Sequence, residues 1–532
     1  MTIERVIIKN YRSLRDTDIK LDDNVNIIVG DNEAGKSTVL EAINLALKCQ
    51  LNRRPAAFEL HPFLFNRDAV LEFVKDRKEG KLTAPPEIRI ELYLKKTDNV
   101  AEFKGVNNSI QDDQAHGICL LIRLDEENFS EEFASYVKDV KALNDIPLEY
   151  YKIEWRSFAW GKTLTTQAIP LKSVLIDPSA ISNTYAANKY VVEIIRNYLP
   201  KSEQVDLALS YRSMRDEFQT DKRIQSINKN LAAQKGIVTD KTLSIALDTT
   251  TRASWETGVL PHLDEIPLTL VGKGEQNTIK IKLAIAAADG CDVFLMEEPE
   301  NHLSHGNLGR LISHVSNTCK DKQLIVSTHS SFVLNKLGIE SIIMFDGAKG
   351  VRLGDLPDDT QSYFKRLPGH NTLRMLLSKY TILVEGPSDE LIIQKGFKQK
   401  YGQLPLEAGV EVISVGTSFK RFLDIAKPLD LPVSVVRDND GAPEAKIALF
   451  DSYKDGKNIQ ICIDKDETAK TLEPQLIKAN GLEKLNAMLG KSFKTTEELE
   501  KFMTDNKTDS ALSLYEHADD LIIPTYMQNA IG

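Results

Sequence analysis

Two groups of residues on this 532-residue chain have the types and spacing to do chemistry on phosphates. The first is Gly30-Asp31-Asn32-Glu33-Ala34-Gly35-Lys36-Ser37-Thr38, followed far downstream by Glu297-Glu298 and by Ser327-Thr328-His329. The second is Glu385-Gly386-Pro387-Ser388-Asp389, followed by Asp438-Asn439-Asp440. The first set suits a nucleoside triphosphate, the second a divalent cation beside a phosphodiester.

In the first set, Gly30-x-x-x-x-Gly35-Lys36-Ser37 is a complete P-loop. Its glycines let successive backbone N–H groups curl around a β-phosphate at a helix N-terminus, Lys36 reaches the β/γ-phosphates, and Ser37 offers its hydroxyl to magnesium. Asn32 and Thr38, inside and just after the loop, join the expected nucleotide contacts. Val293 to Met296 is an apolar strand ending in Glu297-Glu298. Glu297 is expected to hold the magnesium water shell and Glu298 to polarise the attacking water. Asp is usual at the first position, so Glu297 is a departure. His329 follows another apolar strand and is placed to sense the γ-phosphate. Gly272-Lys273-Gly274 precedes a helix, and Gly274 is expected to cap a nucleotide held by a second subunit, which requires a dimer.

In the second set, Glu385 ends an apolar strand and Asp389 follows as the next helix starts. Asp438 and Asp440 end another strand with one residue between them, so both are expected on the same side of the sheet edge. Glu385, Asp389, Asp438 and Asp440 suit oxygen-seeking Mg²⁺ or Mn²⁺. Two such ions stabilise the attacking and leaving oxygens of a phosphodiester displacement. An isolated Asp-x-Asp would be a surface turn; the Val-Glu-Gly strand end before it changes that reading.

Around these sets the chain reads as α/β. Residues 2–9 and 25–29 are expected strands flanking a charged hairpin, and Ser37 to Leu47 has helical spacing. Residues 87–95 alternate as a half-buried strand, and 117–123, 150–155 and 172–176 repeat the strand pattern. Residues 188–234 are charged, glycine-poor and helical, without sustained heptads. Alternation returns at Leu268, with strands at 293–296, 323–327 and 341–345, a turn-rich connector at 351–378, and a β-α-β-α-β series from Tyr380. The expected domains are 1–187 and 251–375 as two parts of one P-loop domain, 188–250 as a helical insertion, and 376–532 as a second α/β domain.

Hydrophobic residues make up 42% and charged residues 27%, as in a soluble globular protein. No stretch approaches the ~20 apolar residues that cross a bilayer, and the N-terminus has no basic-then-apolar leader, so a cytoplasmic protein without membrane contact is expected. The five cysteines are scattered singly, against a disulfide framework or a zinc knuckle. A net charge of −10 counts mildly against nucleic acid, although a local basic groove can exist on an acidic chain.

Asn10-Tyr11-Arg12-Ser13-Leu14 and Glu298-Pro299-Glu300-Asn301-His302-Leu303 resemble segments of the ABC-type ATPases of the SMC/RecF kind. Those ATPases dimerise head to tail around ATP. The Glu385…Asp438-x-Asp440 arrangement, with Gly416-Thr417-Ser418 between, resembles a Toprim domain of Rossmann-like fold. The two in this order resemble the OLD (overcoming lysogenisation defect) family of endonucleases, which includes the nuclease subunit of the Gabija anti-phage system and effectors associated with some retrons. The resemblance implies that the insertion at 188–250 serves dimerisation and that the carboxylates cut DNA. Thr471-Leu472-Glu473 looks like the family's late acidic segment, making Glu473 a further metal candidate. Asn506-Lys507-Thr508 looks like the segment carrying its catalytic lysine, making Lys507 the group that stabilises the pentavalent phosphate. It further implies ATP, Mg²⁺ or Mn²⁺, and a homodimer or higher oligomer through the ATPase half. A defence partner, either a helicase-like protein or a retron reverse transcriptase with its RNA–DNA, is also implied, with cutting held off by ATP or by that partner until infection. The alternative is an ATP-dependent DNA-binding sensor or scaffold that does not cut. A topoisomerase or primase would need further modules that the sequence does not show.

Overall fold

A computed structural model describes residues 1–30, 34–52, 54–138, 143–177, 191–192, 195–196, 198–233, 241–247, 255, 259–288, 290–345, 350–355, 357, 360, 374–376 and 378–532. Asn32, much of the 351–378 connector and parts of the 188–250 segment lie outside these residues.

The N-terminal half is built on two sheets. One is antiparallel, in the order Leu14–Lys20, Ile3–Tyr11, Ile88–Leu94, Gly117–Leu124, Tyr151–Ser157. The other has six strands in the order Gly350–Arg352, Ile342–Phe345, Val25–Val29, Gln323–Ser327, Val293–Glu297, Ser173–Ile176, all parallel except the first. The helix Lys36–Lys48 lies between the sheets. Val39, Leu40, Ala42, Ile43, Leu45, Ala46 and Leu47 are all buried, and a helix apolar nearly all round belongs inside a core. Trp155 ties the antiparallel sheet to this helix, its indole N–H donating to the Ala46 carbonyl at 2.7 Å.

The charged hairpin after the first strand contains a further strand, Leu14–Lys20, paired antiparallel with Ile3–Tyr11. Leu14, Thr17 and Ile19 face inward while Arg15, Asp16 and Lys20 are exposed, so an edge strand carries charge on its wet face.

The 188–250 segment contains the helices Lys201–Thr220 and Lys222–Ala232, joined at Asp221, whose side chain accepts the Arg223 N–H at 2.8 Å and caps the second helix. Neither helix has a buried residue. Beyond Lys379 a four-stranded parallel sheet runs in the order Val410–Ser414, Tyr380–Val384, Val433–Arg437, Ile459–Ile463. Helices from Leu472 to Ile531 pack on it around Leu476, Leu485, Leu514 and Met527.

One apolar cluster joins the two halves. Ile27 and Val29 of the strand before the P-loop, Ile342 and Met344 beside it, Met375 and Leu376, and Leu383, Ile413, Phe419 and Val435 of the second sheet all belong to it. A close-packed core of this kind transmits displacement.

Candidate nucleotide and carboxylate sites

Three neighbouring parallel strands deliver the nucleotide residues to one sheet edge. Val25–Val29 leads into the P-loop, Gln323–Ser327 into Thr328-His329, and Val293–Glu297 into Glu298. Glu297 is paired with Ser327 in the register, so these ends are level. Lys36 is buried, its ammonium donating to the Gly30 carbonyl at 3.0 Å. Ser37 hydrogen-bonds Glu297, whose pKa is raised by burial against that bond. Thr38 lies half-buried in the first turn of the helix.

Glu298 follows the strand in left-handed backbone, at φ 38°. Its Oε1 is 3.6 Å from His329 Nε2, and its Oε2 accepts from Asn301 Nδ2 at 2.9 Å. Glu300 Oε1 accepts both the Thr328 hydroxyl and the His329 backbone N–H, at 2.7 and 2.8 Å, which fixes the turn that presents His329. Lys36, Ser37, Glu297, Glu298 and His329 thus share one edge. Gly274, in the first turn of the helix Lys273–Ala287, packs on the Glu300–Leu303 turn: a Cβ there would stand 2.5 Å from the His302 carbonyl oxygen.

The loop glycines answer to sterics. A Cβ on Gly30 would stand 2.1 Å from the Phe345 carbonyl oxygen, and Gly35 has φ +89°. Gly30→Ala is therefore expected to lose nucleotide binding and to cost about 1–3 kcal/mol of stability. Calorimetric melting with and without ATP checks both; an unshifted melting temperature with full ATP stabilisation would contradict the contact.

The second site lies where the order of the parallel sheet reverses. The chain runs outward from Tyr380–Val384 to Val410–Ser414, then crosses back to Val433–Arg437 on the other side. Ligand crevices open at the carboxyl ends of strands at such a point, and Glu385 and Asp438 end the two strands that flank it. Asp389 is half-buried, and its Oδ2 accepts the Gly386 N–H at 2.9 Å. Glu473, 3% exposed at the start of Leu472–Asn480, accepts from the Thr471 hydroxyl at 2.8 Å. Lys507, half-exposed at the start of Lys507–Glu516, has its Nζ 3.5 Å from Glu473 Oε1.

Charge gathers around Asp438. Burial foremost, then the Asp389, Glu385 and Glu473 carboxylates, push its pKa up to about 8 against the pull of Lys507. Burial likewise pushes Asp389 up to about 6 and raises Glu385. Asp438 Oδ1 is buried without a protein hydrogen-bond partner. Clustered, desolvated carboxylates with an unsatisfied oxygen fit a site completed by a cation. Among the described residues, no three His, Cys, Asp or Glu side chains stand ready-formed as a cation cage, so closing on an ion requires side-chain movement.

Asp440 departs from its expected placement. It is exposed, sits in left-handed backbone at φ 49°, and its Oδ2 accepts from Lys446 Nζ at 2.6 Å. Its charge still raises the Glu385 pKa, but the left-handed residue breaks the alternation that would have put it beside Asp438. Between them Asn439 is wholly buried, its Nδ2 donating to the carbonyls of Asp464, Asp466 and Ala469, and so it ties this loop to the next strand's end.

Two participants are absent from the sequence reading. Arg437 Nε donates to Glu385 Oε1 at 2.9 Å and favours its anion; its place directly before Asp438 was the available signal. Tyr526 is buried on the last helix, and its hydroxyl faces the charges of Asp438, Asp389, Asp464 and Glu385. Nothing in its spacing marks it.

Family models match at both sites: an AAA ATPase domain over residues 1–174, and an overcoming lysogenization defect protein-like TOPRIM domain over residues 376–440. Endonuclease GajA of Bacillus cereus is 21% identical over 470 residues, covering 83% of this chain and 75% of that protein. The DNA double-strand break repair Rad50 ATPase of Methanopyrus kandleri is 58% identical over 45 residues. The chain spans only 5% of that relative's length, and those 45 residues are 8% of the chain. Among solved structures, the SMC head domain from Thermotoga maritima aligns with 66% of this chain and 99% of its own, at 13% identity and a TM-score of 0.31.

Proposed function

We propose that this OLD-family chain, which joins an AAA ATPase domain to an OLD-like TOPRIM domain, is a divalent-metal-dependent DNA endonuclease controlled by nucleotide. The observation that carries the reading is the desolvated, mutually repelling set of Glu385, Asp389, Asp438 and Glu473 at the switch point of the second sheet. Mg²⁺ or Mn²⁺ held there would neutralise the attacking and leaving oxygens of a phosphodiester displacement. Glu385, Asp389, Asp438 and Glu473 would hold the cation, and Arg437 keeps Glu385 ionised and oriented for it. Lys507, with its ammonium at the rim beside Glu473, would place a compact positive charge on the phosphate.

The charge state of Asp438 gives a test that does not depend on cutting. With its pKa at about 8, the carboxyl is mostly protonated at pH 7, whereas a cation requires the carboxylate. Mg²⁺ binding at pH 7 is therefore expected to release up to about one proton. Calorimetric titration in buffers of different ionisation enthalpy reads this release, and Asp438→Asn is expected to abolish most of it. Binding without proton release would count against Asp438 as a ligand.

ATP held by Lys36 and Ser37, with Glu298 and His329 at the γ-phosphate, would bias the carboxylate site through the apolar cluster that joins Val29 to Leu383. The exposed helix pair Lys201–Ala232, with Met214 61% and Val205 55% exposed, supports the reading that the insertion pairs with a second copy. A role in anti-phage defence, with a helicase-like or reverse-transcriptase partner, follows only from the likeness to GajA and its kin. One observation favours the alternative of a scaffold that binds DNA without cutting it: Asp440 is exposed and engaged by Lys446. Cleavage of supercoiled plasmid DNA in Mg²⁺ separates the two.

A further inference from the structure

Beside the carboxylate site lies a cleft of about 700 Å³, bounded by the loop after Val410–Ser414, the helix Phe419–Ala426 and the end of Val433–Arg437. Lys420, Arg421 and Arg437 line it against a single carboxylate, Asp424. That carboxylate is already engaged, accepting from the Thr360 and Tyr453 hydroxyls, each at 2.6 Å. On a chain of net charge −10 this is a locally basic surface. Two of its cations are held in place: Arg421 donates to Thr360 Oγ1 at 3.1 Å, and the Arg437 guanidinium lies 5.8 Å from the centre of the Phe419 ring. Arg437 is also the wall shared with the neighbouring site, because it holds Glu385.

We propose that this cleft seats the phosphodiester backbone of the nucleic-acid strand whose scissile phosphate lies at Asp438, with Lys420 and Arg421 neutralising a flanking phosphate. The inference rests on the nuclease reading for the identity of that strand. Basic side chains held rigid beside an acidic reaction site meet the requirement of a polyanionic substrate, which the carboxylates alone would repel. Thr417 and Lys420 are exposed at the cleft's mouth, so a continuous strand can pass along it. Lys420 reaches no part of the metal cluster in the structure, so it acts through binding.

The test is equilibrium binding of a short fluorescein-labelled duplex by anisotropy, in Ca²⁺ without Mg²⁺, across a range of salt. Lys420→Ala is expected to weaken binding about tenfold at low salt and to reduce the slope of log K against log salt by about 1. Lys420→Glu should weaken it further, and because Lys420 is exposed both variants should fold. In steady-state cleavage the same variants raise KM and leave kcat within a factor of about two. Unchanged affinity and slope in both variants overturn the proposal. So does thymidine monophosphate displacing the duplex at comparable phosphate concentration with the same dependence on Lys420, which would make the cleft a free-nucleotide pocket. If wild type binds DNA through Lys420 yet never cuts, the cleft stands as a strand-binding site and the nuclease reading falls. If wild type cuts and the Lys420 variants bind normally, only the cleft assignment falls.

Discussion

Asp438→Asn is expected to slow single-turnover cleavage of DNA by about a thousandfold, with ATP hydrolysis kept within a factor of about two. The amide matches the carboxylate in size but offers a cation no charge. It occupies the point where burial and three neighbouring carboxylates meet, so no other group on that sheet edge replaces it. The same substitution is expected to raise the melting temperature of the metal-free protein at pH 7. A carboxyl whose pKa rises on folding, here to about 8, opposes folding at every pH above its unfolded value, and the amide removes that opposition. Lost activity with a gain in metal-free stability is the signature of a ligand held ready for a cation. Lost activity with lost stability would mark Asp438 as structural.

Glu298→Gln is expected to reduce ATP hydrolysis by about a hundredfold to a thousandfold while ATP still binds. Glu298 stands beside His329 and is oriented by Asn301, and its left-handed backbone at the strand end is the kind of local strain that accompanies function. Its neighbour should behave differently. Glu297 bonds Ser37, so Glu297→Gln is expected to weaken magnesium-dependent ATP binding itself. Filter binding of ATP beside phosphate release distinguishes the two. Equal loss of binding in both variants would contradict the division of labour between adjacent carboxylates.

The variants bear on how much of the molecule can be read from its residues. Strand ends were legible: an apolar run followed by Gly30, Glu297, His329 or Glu385 announces both a buried parallel strand and the residues at its carboxyl end. The edge strand Leu14–Lys20 was not, because its exposed face is charged and only Leu14, Thr17 and Ile19 register as buried. The placement of Asp440 failed for a backbone reason, since alternation assumes extended geometry and Asp440 has φ 49°. Glu473 and Lys507 came only through likeness to a family, and the structure brings them within 3.5 Å of each other beside Asp438. Tyr526 and the Arg437–Glu385 pair depend on proximity across 62 residues of sequence or more in the first case and 52 in the second, and no local pattern encodes such distances.

The continuous core from Ile27 and Val29 to Leu383 and Val435 gives nucleotide control a physical route, since strands sharing one packed cluster cannot shift independently. A static packing does not by itself set the sign of that control; ATP and the Lys36→Ala variant do, once cleavage is in hand.

The most direct measurement is therefore the conversion of supercoiled plasmid by wild type in Mg²⁺, in Mn²⁺ and in EDTA, beside Glu385→Ala. Nicked or linear product is expected with either cation, none in EDTA, and none with Glu385→Ala. Product in EDTA, or product from Glu385→Ala at the wild-type rate, would contradict a metal-dependent site at the second sheet.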